Sequence, residues 1–268
     1  FENRYVTTRQ AACCLEPHAY VASWDPSGKL TYWASSQSAF PARALLSRVL
    51  NKPENEIRVI IPHVGGGFGN KHDHMEGVLC ALLAKEAGRP VKLELTREEE
   101  FATTETRPYT TWETRTGVKK DGAFTARYMK AIFDTGVYAS ALHVVERAGA
   151  WLMTPYSCPN IKYEGYFVYT NNKWTGGIRG ASSVQPHFVM ESDINQIAEE
   201  LGIDPIELRM RNRRRTGEIN PFNNVPIIAT GFDECILKGA ERIGWGERRK
   251  TGEVGGVKKR GMGMASLC

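Results

Sequence analysis

Apolar and polar residues alternate along several short stretches, a pattern typical of strands that bury one face. The alternation predicts a strand at residues 4–8 and a hairpin in which residues 15–24 and 29–37 flank an Asp-Pro-Ser-Gly turn. It predicts a second hairpin in which residues 109–119 and 123–134 flank a Lys-Asp-Gly turn. Further strands are indicated at residues 55–61, 91–95 and 161–169.

Between these strands, apolar residues recur at helical spacing. The spacing predicts helices at residues 41–50, 72–87, 142–153 and 185–201, and another that begins at Asp204. Thr96, followed by Arg and three Glu, predicts a short helix with a capping box. Strands and helices interspersed in this way indicate an α+β fold with mixed sheets and packed helices.

Four of the five residues at positions 65–69 are glycine. Residues 62–71 read Pro-His-Val-Gly-Gly-Gly-Phe-Gly-Asn-Lys, between a predicted strand and a predicted helix. We call residues 65–69 the glycine loop. Glycines at such a junction let backbone N–H groups approach an anion, and the helix start adds partial positive charge. A flexible turn without a ligand is the alternative.

The glycine loop does not match the standard nucleotide-binding patterns. A phosphate-binding P-loop has Gly directly before its Lys and Ser or Thr directly after, whereas Lys71 stands between Asn70 and His72. Nor does the chain show Gly-x-Gly-x-x-Gly leading into a repeated βαβ series. The pattern therefore favours another anionic ligand.

Composition narrows the class of protein. The chain has 268 residues, 41% of them hydrophobic, and a net charge of only +5. Five arginines between residues 209 and 215 are expected to solvate a helix end, and nucleic-acid binding there is the less favoured alternative. Six cysteines without a Cys-x-x-Cys pair indicate mostly reduced, buried thiols of a cytoplasmic protein. No apolar run approaches the roughly 20 residues that span a bilayer.

Four further residues have polar side chains in sequence contexts suited to ligand binding. Gln37 lies just past the first hairpin, and Arg179 stands close to glycines that would let a backbone approach a ligand. Glu146 and Arg147 interrupt an otherwise apolar predicted helix, where they form either an internal ion pair or a ligand contact.

Taken in order, these stretches resemble the molybdenum-binding subunit of the xanthine dehydrogenase, aldehyde oxidoreductase and 4-hydroxybenzoyl-CoA reductase family. The resemblance covers nearly the whole chain. Phe68 follows Gln37 by 31 positions, and Arg179 follows Arg147 by 32, spacings similar to those of xanthine dehydrogenases. Lesser markers are Glu16-Pro-His, Phe133-Asp-Thr-Gly-Val-Tyr and Asp204-Pro-Ile-Glu-Leu-Arg.

The resemblance implies a molybdopterin cofactor, or its cytosine dinucleotide form, held by loops and not by side-chain ligands to the metal. The implied cofactor-binding residues are Gln37, Gly66, Gly67, Phe68, Gly69, Arg179 and Gly180. Of these, Gln37, Phe68 and Arg179 would be the neighbours of molybdenum. The implied substrate-binding residues are Arg147, His72 and Ala181.

Departures from the family pattern bear on the substrate. His72 stands where xanthine dehydrogenases have Glu, and Ala181 stands where they have a ring-stacking Phe. An aromatic or heterocyclic compound, an acyl-CoA thioester or an aldehyde is therefore expected at least as much as a purine. Gln185 matches the family's glutamine less closely. His72 and His74 are not expected to form a metal pair, because Asp73 separates them on the predicted helix.

The resemblance also implies a reaction and partners. The family hydroxylates a carbon with oxygen from water, or runs the reductive reverse, and passes electrons to 2Fe-2S clusters and FAD on partner chains or domains. Its general-base Glu would lie beyond Cys268, so no catalytic residue is expected in this chain. A degenerate, non-catalytic cofactor-binding subunit is the alternative. A hetero-oligomer without a nucleic-acid partner or a membrane span is expected.

The predicted domain boundaries follow the same resemblance. Residues 1–245 would form a first molybdopterin-binding domain, and residues 246–268 a linker and the start of a second. The chain begins at Phe1 inside a predicted strand and stops at Cys268 just after a new segment has begun. We therefore expect a truncated piece of a longer protein rather than a split subunit, and we expect it to be inactive alone.

Overall fold

A computed structural model of the chain describes residues 1–72, 75–138, 142–247, 257 and 261–267. The strands are β1 (Glu2–Thr7), β2 (Ala19–Trp24), β3 (Leu30–Ala34), β4 (Ile57–Ile60), β5 (Val91–Glu94), β6 (Tyr109–Val118), β7 (Phe124–Gly136), β8 (Ile161–Tyr169), β9 (Ile219–Asn220) and β10 (Val225–Pro226). The helices are α1 (Ala39–Leu50), α2 (Met75–Ala87), α3 (Arg97–Thr103), α4 (Leu142–Met153), α5 (Val184–Leu201), α6 (Pro205–Asn212) and α7 (Phe232–Ile243).

The larger sheet has the strand order β1-β6-β7-β8. Its first three strands run antiparallel, and the predicted hairpin at residues 109–134 is confirmed by the pairing of β6 with β7. β8 then pairs parallel to β7, with Arg127 opposite Ile161. Trp112 and Phe133 are fully buried on this sheet and meet edge to face at 5.6 Å between ring centres. They belong to a core that also includes apolar side chains of α4 and α5.

The second sheet has the order β4-β3-β2-β5 and is covered by α2. β2 and β3 form the other predicted hairpin, and β4 pairs parallel to β3. The rings of Tyr20 and Tyr32 stack 5.9 Å apart beneath α2. Gly77 lies on α2 where a Cβ would overlap the Tyr32 hydroxyl, so this glycine lets the helix sit close to the sheet.

The α+β fold class with mixed sheets is thus confirmed, and several local predictions hold as well. Thr96 and Glu99 form the predicted capping box at α3, and Asp204 caps α6. The predicted start of a helix at His72 is wrong: α2 begins at Met75, and His72 lies in a bend before it. Asp73 and His74 lie outside the described residues. None of the described helices has the length and apolar character that a membrane span requires.

The basic run is only partly the solvated helix end that the sequence predicts, because Arg211 and Arg215 are exposed but two of the other arginines are buried. Arg209 is fully buried and pairs with Glu191 at 2.7 Å, and Arg214 is also buried. The Arg214 guanidinium donates to the backbone carbonyls of Met153, Thr154 and other neighbouring residues. Because these cations are satisfied inside the protein, they offer no continuous surface to a phosphate backbone.

The expectation of mostly buried thiols is also only partly met. Of the cysteines within the described residues, Cys14 and Cys80 are buried and Cys158 is half-buried, whereas Cys13 and Cys235 are exposed. All five are free. Burial raises the pKa of the Cys14 thiol, which keeps it protonated beside the glycine loop.

Asp134, at the end of β7, joins several segments. Its carboxylate pairs with Arg9 at 2.9 Å and accepts hydrogen bonds from Thr170, Asn172 and the Gly136 N–H. Burial alone would raise the pKa of Asp134, but these hydrogen bonds outweigh it and lower the pKa to about 2.

We expect this carboxylate to make the fold sensitive to acid. A group whose pKa is lower in the folded state contributes stability above its unfolded pKa of about 4, and that stability is lost as the pH falls toward 2. Asp134→Asn should therefore lower the free energy of unfolding by about 2 kcal/mol at pH 7 and flatten its decline below pH 4. Urea titrations at several pH values measure both effects. Asp121→Asn, an exposed aspartate, is the control, and an unchanged acid limb in Asp134→Asn would contradict the assignment.

Candidate functional site

Two pairs of parallel strands bring the predicted site residues to common edges. β3 and β4 are parallel neighbours, so the segment after β3, which carries Gln37, lies beside the segment after β4, which carries the glycine loop. β7 and β8 are likewise parallel, and just past their ends the Val137 N–H donates to the Asn172 carbonyl at 3.0 Å. The carboxyl ends of parallel strands are a common place for ligands.

Gln37 is fixed against the glycine loop through its amide oxygen. The Gly69 N–H donates to Gln37 Oε1 at 2.9 Å, and the Lys71 N–H donates to the same atom at 3.3 Å. Because Oε1 accepts these two bonds, the amide nitrogen points away from the loop, toward His72 Nε2 at 3.4 Å. Gln37 is exposed, so this nitrogen is a donor available to a ligand.

Glycine is required within this loop for close packing. A Cβ on Gly67 would overlap the Gln37 side chain. Gly69 adopts φ +90°, and a Cβ there would overlap the carbonyl oxygen of Gly177. The loop thus contacts Gln37 on one side and residues 177–179 on the other because these positions carry no side chain.

Phe68 and Arg179 link the loops of the two sheets. The Arg179 N–H donates to the Phe68 carbonyl at 2.7 Å, and the Arg179 guanidinium lies 5.8 Å from the centre of the Phe68 ring. Phe68 has φ +52°, and Gly180, next to Arg179, has φ +74°. Both side chains are exposed. Arg179 is therefore an exposed cation between two loops with left-handed backbone conformations, and it can bind an anionic ligand.

A cleft of about 540 Å³ opens on one side of these loops. Its walls include Gly65, Gly66, Phe68 and Arg179, together with Arg107. The Arg107 guanidinium donates to the carbonyl of Arg179, which ties this wall together. Partial burial lowers the pKa of Arg107. Glycine N–H groups and two guanidinium groups make the cleft suited to an anionic ligand.

A buried lysine supports the loop from behind. Lys71 Nζ is fully buried and donates to Glu16 Oε2 at 2.8 Å, to the Glu16 carbonyl at 2.9 Å and to Ser35 Oγ at 2.6 Å. Glu16 Oε2 also accepts from the Gly65 N–H at 2.6 Å. Burial alone would raise the pKa of Glu16, but hydrogen bonds from Lys71, Ser35 and Gly65 hold the pKa below its usual value. The ionised carboxylate anchors the first glycine of the loop.

His18 provides a second support. One ring nitrogen, Nδ1, lies 2.7 Å from Glu100 Oε1, and the other, Nε2, lies 2.8 Å from the Asn70 carbonyl oxygen. A carbonyl can only accept, so Nε2 carries a proton. His18 and Glu100 are both buried, and Thr104 accepts a bond from the Asn70 side chain. The residue that follows the glycine loop is therefore held rigidly.

The residues predicted to bind substrate lie near one another. His72 Nδ1 lies 2.9 Å from Ser38 Oγ, next to Gln37. His143, on α4, faces Gly177, where a Cβ would lie 3.8 Å from its Nε2 and 3.3 Å from the Ala181 Cβ. Arg147 follows one helical turn later. Partial burial and then the charge of Arg147 lower the pKa of His143, and His72 acts in the same direction. His143 thus lies close to Gly177 and within electrostatic range of both Arg147 and His72.

The other interpretation of Glu146 and Arg147, an internal ion pair, is not what the structure shows. Both side chains are exposed, and within the described ranges neither takes part in an ion pair.

Sequence reasoning missed several residues that build the site. His143 was not singled out, although its spacing of four from Arg147 places both on one face of α4. Lys71 was considered only as a P-loop lysine, and its buried pairing with Glu16 requires contacts between distant segments. Gln185 is buried at the start of α5, and its Nε2 makes no hydrogen bond within the described part of the chain.

The donor set fits a molybdopterin cofactor. Within the described residues, no group of His, Cys, Asp and Glu is arranged to hold a metal ion. The site instead presents three kinds of hydrogen-bond donor: the Gln37 amide nitrogen, backbone N–H groups of the glycine loop and of residues 177–180, and the Arg179 guanidinium. Such donors suit an anionic oxo-metal group and a phosphate-bearing pterin.

The fold and these loops define a cofactor-binding domain, and comparison identifies its family. The molybdopterin cofactor-binding domain family matches residues 1–213, and the chain belongs to it.

Among its relatives is the putative xanthine dehydrogenase molybdenum-binding subunit XdhA of Escherichia coli K12. The two are 35% identical over an alignment of 268 residues, which covers 98% of this chain and 36% of that protein. The nicotinate dehydrogenase large molybdopterin subunit of Eubacterium barkeri is 35% identical over 242 residues, covering 90% of this chain and 57% of that subunit.

Solved structures agree with this assignment. Quinoline 2-oxidoreductase from Pseudomonas putida 86 superposes with a TM-score of 0.87 at 27% identity, over 92% of this chain and 32% of that one. Aldehyde oxidoreductase from Desulfovibrio gigas superposes with a TM-score of 0.85 at 25% identity, over 94% and 28% of the two chains. The chain therefore spans between 28% and 57% of the length of these relatives.

Proposed function

We propose that this chain forms one wall of the active site of a molybdenum-dependent oxidoreductase that hydroxylates, or reductively dehydroxylates, an organic substrate with water-derived oxygen. The observation that carries the proposal is the meeting of Gln37, the glycine loop and Arg179 at the ends of two parallel strand pairs. The relatives include the molybdenum-binding subunits of xanthine and nicotinate dehydrogenases.

In this proposal one set of residues binds the cofactor and a second set faces the substrate. When bound, the cofactor would supply a two-electron redox centre. The cofactor-binding set is Gln37, Gly66, Gly67, Phe68, Gly69, Arg179 and Gly180. Gln37 would donate from its amide nitrogen, while the glycine loop would supply a closely fitting surface. His72, Arg147 and Ala181 would face the substrate, and a general-base glutamate would come from chain beyond Cys268.

The proposed domains and partners follow from the family resemblance, and the relatives are longer than this chain. Residues 1–245 would be a first molybdopterin-binding domain, and residues 246–268 would lead into a second. We propose that 2Fe-2S clusters and FAD lie on partner chains or domains, that the assembly is a cytoplasmic hetero-oligomer, and that the pterin is molybdopterin or its cytosine dinucleotide. Substrates in keeping with the names of the relatives are aromatic heterocycles and aldehydes, and the resemblance adds other aromatic compounds and acyl-CoA thioesters.

Gln37→Glu tests the proposed donor without removing the loop support. The substitution keeps an oxygen that accepts from the Gly69 and Lys71 N–H groups but replaces the donor nitrogen by an anionic oxygen. We expect the complete complex to lose about tenfold or more in kcat/KM, because a donated hydrogen bond becomes a repulsion. Elemental mass spectrometry for molybdenum and steady-state assays across aldehydes, N-heterocycles and aryl-CoA thioesters provide the measurement.

The matched control is Gln196→Glu, an exposed glutamine of α5. It should leave molybdenum content and kcat/KM unchanged. A native complex without molybdenum, from cells grown on molybdate, would instead point to the degenerate, non-catalytic subunit. Equal activity of Gln37→Glu and the wild type would remove Gln37 from the site.

A further inference from the structure

The larger sheet has one covered face and one open face. α4 and α5 pack on the face that carries Trp112 and Phe133. The opposite face, which we call the outer face, carries the residues that alternate with these along each strand. Among the residues that the structure describes, Val6 and Tyr166 of the outer face are 46% and 47% exposed. The outer face is therefore accessible to a partner.

The strand register arranges the outer face in rows that run from β1 through β6 and β7 to β8. Each row has one residue per strand: the first consists of Glu2, Arg115, Tyr128 and Lys162, the second of Arg4, Glu113, Lys130 and Glu164, and the third of Val6, Thr111, Ile132 and Tyr166. Along the second row the charge alternates in sign, whereas the third row has no charge.

The third row begins an exposed apolar area. Tyr109 and Val168, beyond it on the same face, are also exposed. Apolar side chains gathered on an open sheet face mark an interaction site, and tyrosine is enriched at protein–protein interfaces. Ion pairs within one sheet, such as Glu113 with Lys130 at 3.8 Å, explain why neighbouring charges alternate but not why this apolar area is left uncovered.

The second row is complementary to itself in the reverse direction. From β1 to β8 its charges are positive, negative, positive and negative, and from β8 to β1 the sign at every position is the opposite. A two-fold axis parallel to the strands, midway between β6 and β7, would set each row of one copy against the same row of a second copy in reverse order. Arg4 would then face Glu164 of the second copy, and Glu113 would face Lys130.

The other two rows fit the same arrangement. Glu2 would face Lys162 of the second copy in the first row, and Val6 would face Tyr166 in the third. Two sheets commonly pack face to face with their strands aligned to within about 30°, which this axis allows. Displacing one copy by a single strand would instead bring like charges together along the second row. The charges therefore select one alignment.

We propose that the outer face is an interface through which two copies of this chain pair about that two-fold axis. The third row supplies apolar contact, and the second row fixes the alignment. None of the residues in the three rows belongs to the proposed cofactor-binding or substrate-binding sets, so the inference goes beyond the function proposed above and does not depend on it.

Charge reversal in the complete complex tests the pairing. Arg4→Glu would set like charges against each other at two symmetric places, and we expect the dissociation constant for pairing, measured by sedimentation equilibrium, to rise about tenfold or more. Adding Glu164→Arg restores opposite charges and should return the constant to within about threefold of the wild type. Within one copy the two residues lie three strands apart, about 14 Å, so contact inside the chain cannot produce this rescue. Arg48→Glu, which changes an exposed arginine of α1, is the control and should leave the constant unchanged.

Cross-linking provides a measurement that does not depend on the charge variants. Val6→Cys combined with Tyr166→Cys should give a covalent dimer of the chain with a short bis-maleimide, because the two positions face each other across the axis. Each single variant should show only the background of the wild type, whose exposed cysteines are Cys13 and Cys235 among the described residues.

The outcomes decide whether this face pairs two copies. A single copy of the chain per particle at every concentration overturns the proposal, and so does pairing that Arg4→Glu leaves unchanged. Loss of another subunit from the Arg4→Glu complex, in place of weaker pairing, would show that a different chain covers the outer face and would also overturn it. If Arg4→Glu does not fold, the cross-link decides: a covalent dimer specific to the double cysteine variant supports the proposal, and its absence overturns it.

Discussion

Replacing Gly69 by alanine is expected to deprive the assembled enzyme of most of its molybdenum. The new Cβ would overlap the carbonyl oxygen of Gly177, and φ +90° is a conformation that alanine adopts only with strain. The Cβ and the Gly177 carbonyl oxygen are both fixed to the backbone, so neither can move aside as the end of a flexible side chain could. The clash would therefore push the glycine loop away from residues 177–179 and weaken the bond between the Arg179 N–H and the Phe68 carbonyl.

The size of the effect follows from the precision that such sites require. A displacement of about 1 Å near a reacting centre can reduce activity by about 100-fold. We expect a fall of about tenfold or more in molybdenum per folded protein, and a larger one in turnover. Elemental mass spectrometry and activity assays on the same purified sample would measure both.

Gly88→Ala is the matched control for this experiment. Gly88 also has a positive φ, +60°, but a Cβ there would meet nothing within 4 Å. It should reduce stability by about 1 kcal/mol through backbone strain alone and leave molybdenum content unchanged. If both variants retain full molybdenum, the glycine loop does not hold the cofactor in the manner proposed.

The largest loss of stability is expected for Arg209→Met. Arg209 is fully buried, and its guanidinium donates to Glu191 at 2.9 and 2.7 Å and to the Asn195 side chain at 2.9 Å. Glu191 also accepts from the Tyr156 hydroxyl and from the Ser266 N–H. Removing the cation would leave a buried carboxylate without its charge partner.

Breaking a buried pair from one side typically costs about 3–5 kcal/mol, because the remaining charge cannot be resolvated. We expect Arg209→Met to lower the free energy of unfolding by that amount in chemical denaturation. Arg211→Met, on the same helix, is the control: Arg211 is exposed, its ion pairs are longer, at 3.5 and 3.4 Å, and its loss should cost less than about 1 kcal/mol. Comparable losses in the two variants would show that burial of the Arg209 pair is not what stabilises this region.

Local signals made much of this fold predictable. The Asp-Pro-Ser-Gly and Lys-Asp-Gly turns fix two hairpins, because these residues adopt turn conformations readily. The resemblance carried by Gln37, the glycine loop, Arg147 and Arg179 implied the family, which the family match confirms, and with it the cofactor. These features depend on residues close in sequence, or on a pattern that relatives share.

What sequence reasoning could not supply depends on contacts between distant segments. Nothing near Arg209 in the sequence shows that Glu191 will neutralise it, so the arginine run was interpreted as a surface feature. The partnership of Lys71 with Glu16 joins residues 55 positions apart. His143 gains its significance only because the segment after β8 returns beside α4. Burial and charge pairing of this kind are properties of the folded chain.

The two sheets contribute different parts of the site, and this separation bears on how such a protein can acquire new substrates. Gln37 and the glycine loop belong to the sheet of β3 and β4, whereas α4 follows β7 of the other sheet. In the proposed arrangement, in which α4 faces the substrate, substitutions along its exposed face would change the chemistry offered to the substrate without disturbing the hydrogen bonds between Gln37 and the loop. Related proteins could thus conserve the proposed cofactor-binding residues on one sheet and change substrate preference through substitutions on α4 alone.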